Sequence, residues 1–179
     1  MPFRIPHDHD AHSGFTIIEG LAVVVIIGIL AAIAAPSWLK FSMNREVEAA
    51  RDQLHQGIQQ AQTQAIATRT AWQFSLRATQ GQVEWAIHQH GLPWNDIRNW
   101  QPLDPKIVLD EDNTLTLEQN DVHYILFTFK GTVNERSIIT LESQGGIADK
   151  KCVMVNNLLG TTQDGKELPQ PNRFGFECF

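Results

Sequence analysis

Residues 14–36 read GFTIIEGLAVVVIIGILAAIAAP, and this stretch decides the fold class of the chain. From Phe15 to Ala35 the run is apolar or small, and Glu19 is its only charged residue. At 1.5 Å per residue, a helix over this run is about 30 Å long, which matches the hydrocarbon core of a bilayer. The stretch therefore predicts a helix that spans a membrane.

Glu19 is the residue of this run that needs an explanation. An ionisable side chain within a bilayer is costly unless it is paired, so such a residue is a functional candidate. The small residues from Ala31 to Ala35 resemble a signal-peptidase site. The apolar run is, however, longer than the usual apolar region of a secretory signal. The stretch is thus expected to do more than direct export.

The helical pattern continues beyond Pro36. Apolar residues recur at three- and four-residue steps and form one stripe, namely Met43, Val47, Ala50, Leu54, Ile58, Ala61 and Ala65. Charged residues and glutamines lie between them and suit a solvated face. Because the pattern resumes directly, we expect Pro36 to kink the helix rather than end it. One helix is predicted over residues 15–67, apolar in its first half and amphipathic in its second.

From residue 71 onward the apolar period changes from 3.6 to 2, which is typical of strands. Strands are predicted over residues 71–77, 82–88, 106–109, 114–118, 124–130, 137–142 and 152–157. Turns are predicted at residues 79–81, 130–131, 145–146 and 164–165, and residues 91–105, with three prolines, form a loop. The predicted class is α+β, with the long N-terminal helix packed on one antiparallel sheet or on two sheets.

The charge of the chain is acidic. Its 14 basic and 20 acidic residues give a formal net charge of −6. From Leu103 to the C-terminus, 7 basic residues stand against 12 acidic ones. Sequence-independent binding of nucleic acid depends on clustered Lys and Arg, so this balance disfavours it.

The two cysteines, Cys152 and Cys178, lie near the C-terminus. In an exported domain, an even pair indicates a disulfide; in a cytosolic domain, two free thiols are the usual state. The membrane segment upstream favours the disulfide.

Candidate sites of other kinds are few. His88, His90 and His123 could hold zinc, but no Cys, Asp or Glu stands at a confirming spacing, so no metal or cofactor is expected. No local enzyme signature is present, and we expect no catalytic activity. Among the tryptophans, Trp72 and Trp85 fit core positions on strands. Trp94 and Trp100, in the proline-containing loop, are better candidates for a partner surface.

The segment from Gly14 through Glu19, with its apolar run and Pro36, resembles the class III signal of type IV pilin-like proteins. The resemblance implies that a prepilin peptidase cuts after Gly14 and that the new N-terminal Phe15 is methylated. Glu19 then occupies the fifth mature position, where the family's assembly determinant stands. Its carboxylate is expected to pair with the N-terminal ammonium of a neighbouring subunit.

This resemblance implies that the chain consists of three parts. Residues 1–14 form a removable leader, and residues 15–36 the transmembrane and assembly half of the helix. Residues 37–179 form the amphipathic half-helix with a globular β domain. The expected location is the inner membrane, crossed once, with the C-terminal domain outside the cytoplasm. The expected partners are the membrane, the prepilin peptidase and other pilins or pseudopilins, contacted through the N-terminal helix.

A second resemblance lies in the β domain. Residues 127–133, 138–141 and 150–155, followed by Gly160, are similar to minor pseudopilins of the FimT/GspH kind. The resemblance implies a structural subunit of a type IV pilus or of a type II secretion pseudopilus.

Two alternative functions remain open. A DNA-binding minor pilin for natural transformation would use Lys150, Lys151, Lys166 and Arg173, although the acidic charge disfavours this. The other is a membrane-anchored binding domain or enzyme that never assembles.

Overall fold

The computed structural model describes residues 15–156, 158–171 and 177–178. One long helix, α1, spans Ile17–Thr68 and continues through Pro36. In the described part, the strands that follow are β1 Trp72–Thr79, β2 Gln82–Gln89, β3 Gln101–Pro102, β4 Ile107–Leu109, β5 Leu117–Gln119, β6 Val122–Phe127, β7 Ser137–Ser143, β8 Lys151–Val155 and β9 Thr162–Lys166. Two short 3₁₀ turns occupy Trp94–Asp96 and Glu111–Asn113.

The strands form two antiparallel sheets. The first has the order β3-β2-β1-β6-β5, and the second has the order β4-β7-β8-β9. Every strand pair within the described residues is antiparallel. The predicted α+β class is confirmed, and of the two arrangements left open, the structure has two sheets.

The chain divides into two compact units, of which the first ends at Leu39 and the second begins at Lys40. The first unit contains the apolar part of α1. The second unit contains the amphipathic part of α1 and both sheets.

The amphipathic part of α1 supplies one side of the core. All residues of the predicted stripe are buried, namely Met43, Val47, Ala50, Leu54, Ile58, Ala61 and Ala65. They share one hydrophobic cluster with Phe74 and Phe127 of the first sheet and with Leu141 and Val153 of the second. Burial of a large aliphatic side chain contributes roughly 1.5–3 kcal/mol, so packing against both sheets holds this half of the helix.

The β1–β2 hairpin has the predicted turn. Thr79 lies opposite Gln82, and the two residues between them, Gln80 and Gly81, have φ values of 53° and 81°. Such left-handed pairs match the twist of the flanking strands and explain the glycine at the second position. The turns predicted at residues 130–131 and 145–146 are also confirmed.

The turn predicted at Asp164 and Gly165 is wrong, because both residues lie inside β9. Asp164 lies opposite Val153 and Gly165 opposite Cys152 in the pairing of β9 with β8. Strand β9 carries polar, exposed side chains and a single buried glycine, so it lacks the apolar alternation that marks a strand in the sequence.

Two other strands begin or end at residues other than those predicted, because local turns close there. β5 begins at Leu117 instead of Thr114, because the Thr114 hydroxyl donates to the carbonyl of Asp110 across the second 3₁₀ turn. β6 ends at Phe127 instead of Lys130, because a turn closes between Thr128 and Thr132. The loop predicted over residues 91–105 contains β3, which pairs with β2.

Gly57 is buried where α1 meets an aromatic pair. A Cβ atom at this position would lie 2.7 Å from Cζ3 of Trp85 and 2.8 Å from Cε2 of Phe74. We predict that Gly57→Ala lowers the free energy of unfolding by about 1–3 kcal/mol, because overpacking outweighs the gain in helix propensity. Urea unfolding measures this, with the exposed neighbour Gln56→Ala as a control expected to lose nothing. Unchanged stability of Gly57→Ala would contradict the close packing.

Candidate assembly segment and polar sites

Thr16 caps the apolar part of α1. Its Oγ1 accepts a hydrogen bond of 3.3 Å from the backbone N–H of Glu19, and α1 begins at Ile17. A threonine at this position satisfies one of the free N–H groups of a helix start, and Thr-x-x-Glu is the spacing of a capping box. That signal is readable in the sequence, whereas the apolar run alone placed the start at Phe15.

The apolar side chains of the first part of α1 are exposed. From Phe15 to Phe41, a range that lies wholly within the described residues, no residue is buried. The exposed fraction of the large apolar side chains runs from 44% at Val23 to 93% at Ile17. By length and composition, α1 contains a window that could cross a membrane. A contiguous apolar surface of this kind marks a site for lipid or for another protein.

Glu19 stands within this apolar surface. It is exposed, lies in the first turn of α1, and its side chain makes no hydrogen bond or ion pair with the described residues. Its negative charge is favourable there because the N-terminus of a helix carries partial positive charge. Phe15 is exposed as well, and the predicted cleavage residue Gly14 lies outside the described residues.

Asp149 ties the loop before β8 to α1. Its carboxylate lies 2.9 Å from Nζ of Lys40, and its backbone N–H donates to Oδ1 of Asn44 at 2.8 Å. The hydrogen bond from Lys40 holds the pKa of Asp149 below its ordinary value. These contacts fix the loop to the helix close to Phe41, where the exposed apolar segment ends. They join residues distant in sequence, and no sequence signal indicated them.

The predicted disulfide is present. Cys152 of β8 is bonded to Cys178, and both cysteines are fully buried. Ile138 and Met154 complete a small apolar cluster around them. Cys178 also forms an antiparallel bridge with Glu167, so the disulfide holds the C-terminal residues against the second sheet.

Lys150 is half-buried between two carboxylates. Its Nζ lies 2.8 Å from Oδ2 of Asp110 and 2.6 Å from Oε2 of Glu177. Burial opposes the charged ammonium, but the two carboxylates outweigh it and raise the pKa of Lys150 above its ordinary value. Burial likewise disfavours the Asp110 carboxylate, yet the hydrogen bonds from Lys150 and Asn113 leave the pKa of Asp110 lowered. Lys150 is thus a structural ion-pair partner of the C-terminal segment.

Of the four basic residues weighed for DNA, the three that the structure describes do not form one uncompensated patch. Lys150 is paired as described, and Lys151 is half-buried in β8. Lys166 is exposed at the end of β9, beside a cleft that Asp149 and Glu167 also line. Arg173 lies outside the described residues. Among the residues that the structure describes, this region therefore offers little free positive charge to a phosphate backbone.

The three histidines weighed as zinc ligands do not converge. Within residues 15–156, 158–171 and 177–178, no group of three His, Cys, Asp or Glu side chains is placed to hold a metal. His88 is buried, with Nε2 2.9 Å from Oγ of Ser75 and Nδ1 3.0 Å from the carbonyl oxygen of Gln89. Burial lowers the pKa of His88 below its ordinary value.

This lowered pKa predicts a loss of stability in acid. An unfolded histidine takes up a proton near pH 6.5, whereas folded His88 resists protonation until a lower pH. The unfolded state therefore binds more protons as the pH falls below about 6.5, and the free energy of unfolding decreases. We expect His88→Gln to lose less stability than the wild type between pH 7.5 and 5.5, measured by urea midpoints. The exposed His90→Gln is the control, and equal acid sensitivity of both variants and the wild type would contradict this role.

Of the four tryptophans that follow α1, Trp72 and Trp85 belong to the core, as predicted. Trp94 and Trp100, expected at an exposed partner surface, are partly covered by other side chains. Trp85 is buried and Trp72 packs against the core. Trp94 and Trp100 are half-buried. His88 and Arg77 cover parts of these two rings, at centroid distances of 5.8 Å and 4.0 Å respectively.

Comparison with known proteins gives two family matches. A family described as type II transport protein GspH matches residues 50–159, and a prokaryotic N-terminal methylation motif matches residues 10–35. Among solved structures, the type IV minor pilin FimU of Pseudomonas aeruginosa (strain PAO1) is similar with a TM-score of 0.44 and 14% identity, over 69% of this chain and 90% of that one. No curated protein has a significant match to the chain.

Proposed function

The chain belongs to the GspH family of type II transport proteins, and we propose that it is a processed minor subunit of a type IV pilus or of a type II secretion pseudopilus. The role is structural. The exposed apolar part of α1 inserts first into the inner membrane and then among the helices of neighbouring subunits, while the β domain faces partners outside the cytoplasm.

One observation carries this proposal. A single continuous helix has no buried residue from Ile17 to Phe41, where its side chains are apolar or small except at Glu19, Ser37 and Lys40. From Met43 onward the same helix buries a complete apolar stripe in the core of the domain. A membrane anchor alone needs the first part only. A subunit that assembles through its helix also needs the second part, which packs the helix into the core of the β domain.

We infer that maturation begins at the leader. A prepilin peptidase cuts after Gly14, and the new amino group of Phe15 is methylated, in line with the methylation motif over residues 10–35. Phe15 then stands directly before the capped start of α1.

Glu19 supplies the pairing step in assembly. In the apolar environment of packed helices, its carboxylate and the N-terminal ammonium of a neighbouring subunit each carry a desolvation cost, which their pairing offsets. The side chain of Glu19 makes no hydrogen bond or ion pair with the described residues, which is consistent with this role. DNA binding is not part of the proposal, because the chain is acidic and Lys150, one of the four basic residues weighed for it, is held by Asp110 and Glu177.

Processing is tested by co-expression with a prepilin peptidase. The chain is expected to shorten by its 14 leader residues, seen as a band shift and an intact-mass change. Gly14→Val should abolish the shift, because the bulkier side chain blocks the cut, whereas Ser13→Ala is the matched control and should be cut. An unshifted wild-type band, or a cut near Ala35, would contradict the processing step.

A further inference from the structure

The β domain contains a cleft of about 580 Å³ that the structural role does not use. The end of β1, the loop after β2 and the turn between β5 and β6 form its walls. The polar and aromatic side chains of its lining include Arg77, Trp94, Asn95, Trp100, Asn120 and Asp121. Its volume lies in the range of about 300–1,000 Å³ that is usual for small-ligand sites.

The two indole rings of this cleft are held in place. The ring of Trp94 contacts His88 edge-on at a centroid distance of 5.8 Å and Tyr124 at 5.9 Å. The guanidinium of Arg77 lies 4.0 Å from the centroid of Trp100. Aromatic walls fixed in this way cost little ordering entropy when a ligand binds.

The loop that carries both tryptophans is itself anchored. Ile97 and Leu103, on either side of Trp100, are buried. The side-chain amide of Asn99 donates to the carbonyl oxygen of Ile87 in β2 at 2.9 Å. The cleft is therefore formed before any ligand arrives.

Three polar side chains complete the cleft. Asn95, Asn120 and Asp121 are exposed, and their side chains make no hydrogen bond or ion pair with the part of the chain that the structure describes. Asn120 and Asp121 have φ values of 55° and 60°, so the tight turn between β5 and β6 fixes their positions. Two amides and one carboxylate are thus available to a ligand.

We propose that this cleft binds a short oligosaccharide, a function beyond the structural role. The C–H face of a sugar ring packs on an indole, while its hydroxyl groups bond to amides and carboxylates as both donors and acceptors. Rigid aromatic walls beside free amide and carboxylate groups supply this combination.

A nucleic acid fits the cleft less well. Its bases would stack on the tryptophans, but its phosphates need cations. Arg77 is the cation of the cleft lining in the described part, and its Nη2 lies 2.8 Å from Oε2 of Glu84. Asp121 would repel a phosphate. The lining therefore favours an uncharged, hydroxyl-rich ligand.

Calorimetric titration of the full chain in a detergent without sugar headgroups tests the proposal. The probes are cellotetraose, chitotetraose and, as the nucleic-acid arm, a single-stranded oligothymidylate. At least one of the two sugars is expected to bind with millimolar affinity or tighter. Asp121→Gly and Asn120→Gly retain the turn conformation, and each should weaken that binding about fivefold through a lost hydrogen bond. Trp94→Ala should reduce it at least about tenfold.

The matched control is Gln80→Gly. Gln80 is exposed and has a φ of 53°, but it does not line the cleft, so this variant should bind sugar as the wild type does. Absence of binding by both sugars overturns the proposal, as does sugar binding that survives unchanged in all three cleft variants. Binding of the oligothymidylate alone, weakened by the same variants, overturns it in favour of nucleic acid.

Discussion

Glu19→Ala is expected to yield a chain that is cut and inserted in the membrane yet almost absent from filaments. The variant leaves Gly14, the apolar run and the exposed helix surface intact, so processing and anchoring continue. It removes the carboxylate that, in the proposed assembly, pairs with the N-terminal ammonium of the neighbouring subunit. Loss of one partner of a buried ion pair costs about 3–5 kcal/mol, so incorporation should fall by a factor of roughly a hundred or more.

The measurement compares the variant in the membrane fraction and in the sheared filament fraction by immunoblot. Glu48→Ala is the matched control, since Glu48 lies on the same helix but at the solvated face of the second unit. It should enter filaments normally. Wild-type incorporation of Glu19→Ala would refute the pairing role, and loss of both variants would point to a general helix defect.

Removal of the disulfide should have the largest effect on stability. Cys152 and Cys178 are 26 residues apart in sequence. In the chain-entropy model, a cross-link over a loop of that size contributes about 3.5 kcal/mol. The double variant Cys152→Ala/Cys178→Ala also loses packing in the cluster with Ile138 and Met154. We expect Tm to fall by roughly 10 °C.

Chemical reduction of the wild type separates the effect of the lost cross-link from the effect of the lost packing. The wild type is treated with a thiol reductant under denaturing conditions and refolded in its presence. Its Tm should then fall towards the Tm of the double variant. The double variant itself should not respond to the reductant, which makes it the control. A reduced wild type with unchanged Tm would show that the cross-link contributes nothing to the stability of the domain.

Because Lys150 contacts Glu177, next to Cys178, Lys150→Met should destabilise the oxidised chain more than the reduced one.

The parts of the fold that could be predicted are those with a long, repeated pattern. The stripe from Met43 to Ala65 repeats over several turns, so its burial follows from the sequence alone. Strand β9 could not be predicted in this way. Its exposed side chains are polar, and its Asp-Gly pair reads as a turn until β8 is placed beside it.

The polar sites depended on contacts between distant residues. Lys150 resembles a free surface lysine in the sequence, and only the fold brings Asp110 and Glu177 to it. The loop tryptophans resemble an exposed patch in the sequence, but His88 of β2 and Tyr124 of β6 contact the ring of Trp94. By contrast, the expectation for Glu19 rests on a local motif, which is why it needed no tertiary information.

The intact mass of the chain recovered from sheared filaments tests the central claim most directly. The account predicts a chain that starts at a methylated Phe15, lacks the 14 leader residues and keeps the bond between Cys152 and Cys178. Recovery of the chain only from the membrane fraction would contradict it. So would a filament-associated chain that still starts at Met1, or one that starts after Ala35.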